Sequence, residues 1–332
     1  MISKSLLQKA VEQKLLTSDQ VDPLFQFLSQ QEPESLEGTQ EEPLRFIRSF
    51  GDIFITIGII MLVLAINMAE LSGYAYFIPV AGFVLISEWL VRVRKLALPG
   101  IAILISILYF VNKAIEFNHQ QASTFGLSIL CFTSLIYYLR YKMPFSLLPL
   151  AMGLVAIVII QLGWNVVERP AILAVMGFIV FIVAMSFDIL DTQRVSHLSD
   201  SAFWLHLLAS PLMVHGLMFS MLSSNDQWIQ SIDTEVIIIS FFIGFFLLAL
   251  LVDRRAMLIS TQLYMIYAVT QLLQNQINNT QNVLMLVLMA LGLFVLFFGA
   301  YWYLARKFIF GFLSQTAISR YVPDLTLTDV KR

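Results

Sequence analysis

The sequence predicts an all-α fold: a polytopic transmembrane helical bundle of about ten spans with a small N-terminal cytoplasmic helical hairpin. Three observations predict it. Of the 332 residues, 58% are hydrophobic and 13% charged, where a soluble domain has about 45 to 50% and about 25%. After Arg48 the chain is a regular series of apolar runs split by short polar loops. Lysines and arginines fall on alternate loops, as they do when cytoplasmic loops keep their cations and translocated loops lose them.

Residues 1–31 predict the hairpin, because Leu6, Leu7, Ala10 and Val11, then Val21, Leu24, Phe25 and Leu28, recur at helical spacing. Thr17 followed by Gln20 fits a capping box at the start of its second helix. The opening stretch is amphipathic and charged throughout, so no cleaved secretory signal is expected. Residues 32–48 read as an acidic linker and juxtamembrane segment. With Pro33, Gly38 and Pro43 among its glutamates, the linker has too little apolar area to order itself.

Residues 49–304 predict the bundle. The apolar runs lie near Phe50 to Met68, Tyr74 to Val91, Leu98 to Asn112, Ser123 to Tyr138, Phe145 to Trp164, Ala171 to Phe187, Ala202 to Met221, Val236 to Leu251, Ala256 to Leu273 and Val283 to Tyr303. Each is long enough, or nearly so, to cross a hydrocarbon core of about 30 Å at about 1.5 Å per residue. The third and fourth runs are the shortest, which leaves a merged or re-entrant segment open there. With ten spans, Arg45, Arg48, Arg92, Arg94, Lys95, Arg140, Lys142, Arg194, Arg254, Arg255, Arg306 and Lys307 all fall inside, and only Lys113 and Arg169 outside. Both termini are then cytoplasmic. Trp89, Tyr137, Tyr138, Trp164, Trp204 and Tyr301 to Tyr303 sit at proposed edges, as interfacial belts do. Residues 305–332 mix Phe and Leu with Ser, Gln and Arg and read as a cytoplasmic interfacial tail. Gly51 with Gly58, and Gly292 with Gly299, share a helix face, for which close helix packing is the simplest reading.

A net charge of −2 offers no basic surface for nucleic acid. A single cysteine, Cys131, permits neither an intrachain disulfide nor a cysteine-based metal cluster. No P-loop, HExxH or GxSxG occurs, so no ATP motor, cofactor or metal is expected and no catalytic residue is nominated.

Ionisable and polar groups inside spans are costly unless paired or hydrated, and they mark where function would sit. The seventh span holds His206, Pro211 and His215. Nine positions at about 100° each turn a helix by about 180° from its starting face, so the two histidines point to opposite sides and cannot share a metal. Pro211 removes the hydrogen bond to the Leu207 carbonyl, which predicts a bend. Bonding of each histidine to a neighbouring helix is the simpler reading, and a proton relay the sharper one. Asp188 and Asp191 lie one turn apart at the inner end of the sixth span, where they could converge with Arg194 and His206. In the ninth span Ser260, Tyr264, Tyr267, Gln271 and Gln274 share one face, which predicts interhelical hydrogen bonds or a water-filled cavity. Glu88 stands four residues before Arg92, the spacing of a helical ion pair.

The stretch LLQKAVEQKLLTSDQVDPLFQFL, followed by the Gly- and Ile-containing span FGDIFITIGIIMLVLAI, resembles an uncharacterised bacterial membrane-protein family, catalogued as domain of unknown function 2157. DSAFWLHLLASPLMVHGLM is similar to a Phe-Trp-Leu-His segment with a later histidine in related membrane proteins. The resemblance implies a bacterial plasma (inner) membrane location and draws Trp204 into the candidate site beside His206 and His215; it carries no activity. Two functions are expected from different classes. One is transport or permeation of a small solute through the bundle. The other is a structural or regulatory role in which the hairpin binds a cytoplasmic protein. The lipid bilayer is the partner common to both.

Overall fold

The computed structural model describes residues 17–30, 49–118, 124–165, 169–192, 196–222, 234–258 and 280–316, together with Val11, Arg194, Tyr321, Val322 and residues 261, 262, 265, 266, 269, 270 and 273. The chain divides into two compact units, Met1–Glu41 with Thr326–Arg332, and Glu42–Leu325.

In the first unit, helix α1 (Ser18–Gln30) begins where the capping pattern predicts it. The Thr17 backbone N–H donates to Gln20 Oε1 at 3.1 Å, satisfying a donor that the helix start would leave open. Val21 is buried. The first half of the expected hairpin lies outside the described residues apart from Val11, as does the linker up to Arg48.

The second unit is all-helical among the described residues. Helix α2 is Phe50–Met68, and α3 is Phe77–Ser87, entered through a 3-10 turn and extended by a π-helical turn, Glu88–Val93. Then follow α4 (Ala97–Asn118), α5 (Thr124–Tyr141) and α6 (Leu147–Gln161). The second half holds α7 (Ala171–Leu190), α8 (His197–Leu222), α9 (Thr234–Val252) and α10 (Thr280–Phe310). Every described residue in 258–273 is also helical. Seven of these elements are long and apolar enough to cross a membrane: Phe50–Met68, Gly73–Val93, Ala97–Glu116, Pro144–Gln161, Ala171–Leu190, His197–Met221 and Gln281–Gln315. The sequence expected about ten.

The third and fourth runs are separate helices, not one merged segment, and both run past their expected C-terminal bounds. Helix α4 continues past Asn112 to 22 residues, with Asn112 Nδ2 donating to Glu116 Oε1 at 2.7 Å along its polar end. In α5 the hydroxyls of Ser128, Thr133 and Ser134 donate back to carbonyls one turn earlier at 2.8 to 3.0 Å. A helix whose polar side chains satisfy themselves in this way needs no outside partner for them. Pro211 does not interrupt α8, which runs 26 residues without a break.

Helices α4 and α8 are the central ones, each half buried over its apolar window, whereas α2 is 11% buried over its own. Ile103, Leu104, Ile107 and Phe110 of α4 anchor one core with Ile59 and Phe83. Val180 and Ala184 of α7 meet Leu205 and Ala209 of α8 in another. Among the described helices α7 and α8 make the most extensive contact, and glycine makes it possible. A Cβ on Gly216 would sit 2.2 Å from the Ala174 nitrogen, and one on Gly177 2.6 Å from the Met213 nitrogen. The close packing expected at Gly58, Gly292 and Gly299 is not found, because a Cβ at any of the three would have no described atom within 4 Å. Those faces carry large apolar side chains outward, including Phe54, Met61, Leu288 and Leu296. That suits helices bathed in hydrocarbon, where apolar exposure is not penalised.

Four connections at one end of the bundle turn through a non-glycine residue in the left-handed region: Lys95 (φ 55°), Lys142 (52°), Arg194 (55°) and Asp253 (59°). L-residues adopt this conformation at a cost that surrounding contacts must offset. Two of the four offset it inside the candidate site.

Candidate functional site

The site grows from the end of α9. The Arg254 N–H donates to the Ala249 carbonyl at 2.9 Å and the Asp253 N–H to the Leu250 carbonyl at 3.3 Å, the pattern of a Schellman cap with aspartate where glycine usually stands. Two arginines from elsewhere complete the cap. Arg306 of α10 donates to the carbonyls of Leu250 (2.8 Å) and Leu251 (3.2 Å), and Arg194 donates to those of Val252 (3.2 Å) and Asp253 (2.9 Å). Cations at a helix C-terminus satisfy open carbonyls and oppose the negative end of the helix dipole.

The capping residues send their side chains in opposite directions. Asp253 Oδ2 accepts from Arg194 Nη1 at 2.9 Å, and its Oδ1 accepts from the Trp302 indole N–H at 2.6 Å, tying α9 to the α7–α8 turn and to α10. Arg254 reaches back to α7 and α8. Its Nη2 donates to Asp188 Oδ1, to the Ser199 carbonyl (3.0 Å) and to Ser199 Oγ (3.1 Å). Asp188 Oδ2 is also 2.8 Å from His206 Nε2. Arg254 and His206 are fully buried and Asp188 is 2% exposed. Ion pairs taken this far out of water hold only when hydrogen bonds satisfy most of their remaining valences, and here four elements converge to do it.

His206 completes the arrangement. Its ring lies edge-on to Phe181 with centroids 5.2 Å apart, and its Nδ1 has no hydrogen-bond partner among the described residues. A neutral ring that donates from Nε2 to Asp188 carries a bare lone pair on Nδ1. Close by, Ser210 Oγ donates to the Met257 carbonyl at 2.7 Å, beside Pro211.

Of the residues the sequence nominates, Asp188 and His206 are joined directly. Arg194 is in the same assembly but pairs with Asp253 rather than with Asp188. Asp191 accepts from the Ser196 N–H (2.9 Å) and hydroxyl (2.7 Å), securing the turn instead of joining the histidine. Trp204 stands apart: its ring packs edge-on against Phe145 at 4.8 Å. His215 is exposed while His206 is buried, so the pair is split as their half-turn offset requires. Tyr264, Tyr267 and Gln271, with Ser260 and Gln274, lie outside the described residues. Asp253, Arg254, Trp302 and Arg306 are the members that sequence reasoning missed. The arginines were legible only as markers of an inner loop, and their burial had no sequence signal.

Among the described residues, no three of His, Cys, Asp and Glu gather as a metal ion would need. No protein-family model, curated protein or solved structure matches the chain.

Proposed function

We propose that the chain is a ten-span protein of the bacterial plasma membrane, with both termini cytoplasmic, related to the domain of unknown function 2157 family. In this reading it moves a small solute across the bilayer, with Asp188 and His206 as the pair that takes up and releases charge. One observation carries it: a fully buried imidazole bonded to a buried carboxylate, on two adjacent helices of membrane-crossing length. Ionisable groups inside spans are rare and costly, and proton and substrate paths are where they are used. The bare Nδ1 of His206 is a place where a proton can be added without breaking the bond to Asp188, and Arg254 on the far side of the carboxylate opposes that proton. A gain or loss of charge there would alter the balance between α7, α8 and the α9 cap.

The test is proton movement in vesicles. The full chain, reconstituted in liposomes enclosing a pH-sensitive dye, should carry protons down an imposed pH gradient faster than empty liposomes. His206→Gln keeps an amide donor toward Asp188 but cannot titrate; it should reduce that flux at least tenfold at unchanged protein content. Equal flux from the variant, or none above empty liposomes from either protein, would overturn the reading.

A second reading has its own observation, that Met1–Glu41 with Thr326–Arg332 form a compact unit of their own. There the α1 region is a docking module for a cytoplasmic protein. A specific protein should co-purify with the crosslinked full chain and with His206→Gln, and should be absent after deletion of residues 1–43. Retention by the deleted chain would exclude it.

A further inference from the structure

We infer that the turns after α3 and α5 together form a binding site for the headgroup of an anionic phospholipid. This rests on the membrane-spanning reading above, and its basis lies in the first half of the bundle, away from the buried network.

The two turns touch. A Cβ on Gly100 would lie 2.9 Å from Met143 Cε and 3.0 Å from Val91 Cγ2, so Met143 of one turn is wedged against the helix that leaves the other. The Tyr137 hydroxyl donates to the Gly100 carbonyl at 3.2 Å and lies 3.2 Å from Ser87 Oγ, fastening α5 to α4 and α3. Glu88 spans the same seam. It accepts from Arg140 at 2.8 and 2.9 Å, from Arg92 at 3.1 Å and from the Tyr141 hydroxyl at 3.1 Å.

That carboxylate already accepts from two arginines and a tyrosine, and the two turns carry three further cations. Arg94, Lys95 and Lys142 are exposed and make no ion pair among the described residues. Arg94 lies over the Trp89 ring at 4.9 Å and Lys142 over the Tyr138 ring at 5.8 Å. Aromatic rings at helix ends settle at headgroup depth. The cations stacked on them are therefore held at the level of lipid phosphates, where each basic group strengthens attachment to anionic lipid.

The second half of the bundle supplies the contrast. Arg194 occupies the same left-handed turn position as Lys95 and Lys142, but its guanidinium points inward to Asp253 and is buried. One turn geometry thus serves an internal clamp in one half and presents open cations in the other. Open cations on a rigid, aromatic-flanked seam fit a diffuse phosphate-bearing headgroup, which demands charge at the right depth more than shape.

The experiment uses the full chain in an uncharged detergent, with native mass spectrometry counting bound lipid. Phosphatidylglycerol should be retained in preference to phosphatidylcholine, and equimolar inorganic phosphate should not displace it. The combined variant Arg94→Gln, Lys95→Gln, Lys142→Gln should lose this preference by roughly fivefold per charge, on the order of a hundredfold in all. Lys113→Gln, at the opposite end of α4, should behave as the parent does. Equal retention of the two lipids, unchanged retention by the triple variant, or displacement by phosphate would each overturn the proposal. Carbonate washing of membranes separates the two failures. A chain that stays in the pellet without lipid preference defeats this site alone, whereas a chain released by the wash defeats the bundle as well.

Discussion

Asp188→Leu should lower the stability of the folded chain by about 3 to 5 kcal/mol, the largest single loss expected at any side chain in the bundle. Arg254 is fully buried and Asp188 is its carboxylate partner. Without that carboxylate the guanidinium keeps the Ser199 carbonyl and hydroxyl but loses the charge of Asp188, and His206 loses its hydrogen bond to Asp188. Removing one member of a buried pair leaves the other's desolvation cost standing, whereas replacing both can be close to neutral. The double variant Asp188→Leu, Arg254→Met should accordingly recover most of the loss. Thermal unfolding in detergent, read as the midpoint for the parent, the single and the double variant, measures this. Should the double variant be as unstable as the single, the ion pair is not what holds α7 and α8 to the α9 cap. The same double variant separates fold from function, since it should fold and yet carry no protons.

Gly216→Ala should be nearly as damaging, at about 2 kcal/mol or more, although it adds one methyl group. The methyl would lie 2.2 Å from the backbone nitrogen of Ala174 and 2.8 Å from its Cα. Backbone atoms in a helix cannot step aside as a side-chain tip can, so α7 and α8 must move apart as bodies. The separation would also stretch the 2.8 Å bond between His206 and Asp188, one on each helix. Gly58→Ala and Gly292→Ala are the controls, because a Cβ at either would meet nothing described within 4 Å; both should leave the midpoint unchanged or slightly raised, since alanine favours the helix. Equal effects at Gly216 and Gly292 would contradict the close α7–α8 pairing.

These two residues show how unevenly the molecule was legible. Gly177 and Gly216 sit 39 positions apart in sequence on different helices, and nothing local separates them from Gly292 and Gly299, whose regular spacing looked more like a packing motif. Asp188 and His206 were legible together because a short connection places the end of one helix beside the start of the next. Arg254 was visible only as an inner-loop cation. Its partner is 66 residues away, and inward and outward arginines have the same local sequence signature. Glu88 shows the same limit on a smaller scale. Its helical partner Arg92 follows from spacing alone, but the shorter bonds to Arg140 come from another helix, 52 residues on.

What the sequence determined by itself is the helical, membrane-suited character of the chain and the approximate places of most of its described helices. Those properties are local: in hydrocarbon each segment must satisfy its own backbone, so apolar length and the polar breaks between runs suffice to define it. Only the tertiary structure decided which cations are spent inside and which remain open. Arg194 and Lys95 turn the chain in the same way, yet one finds Asp253 and the other finds none among the described residues. That difference depends on which helix end folds against it, a property of the assembled bundle that no single segment carries.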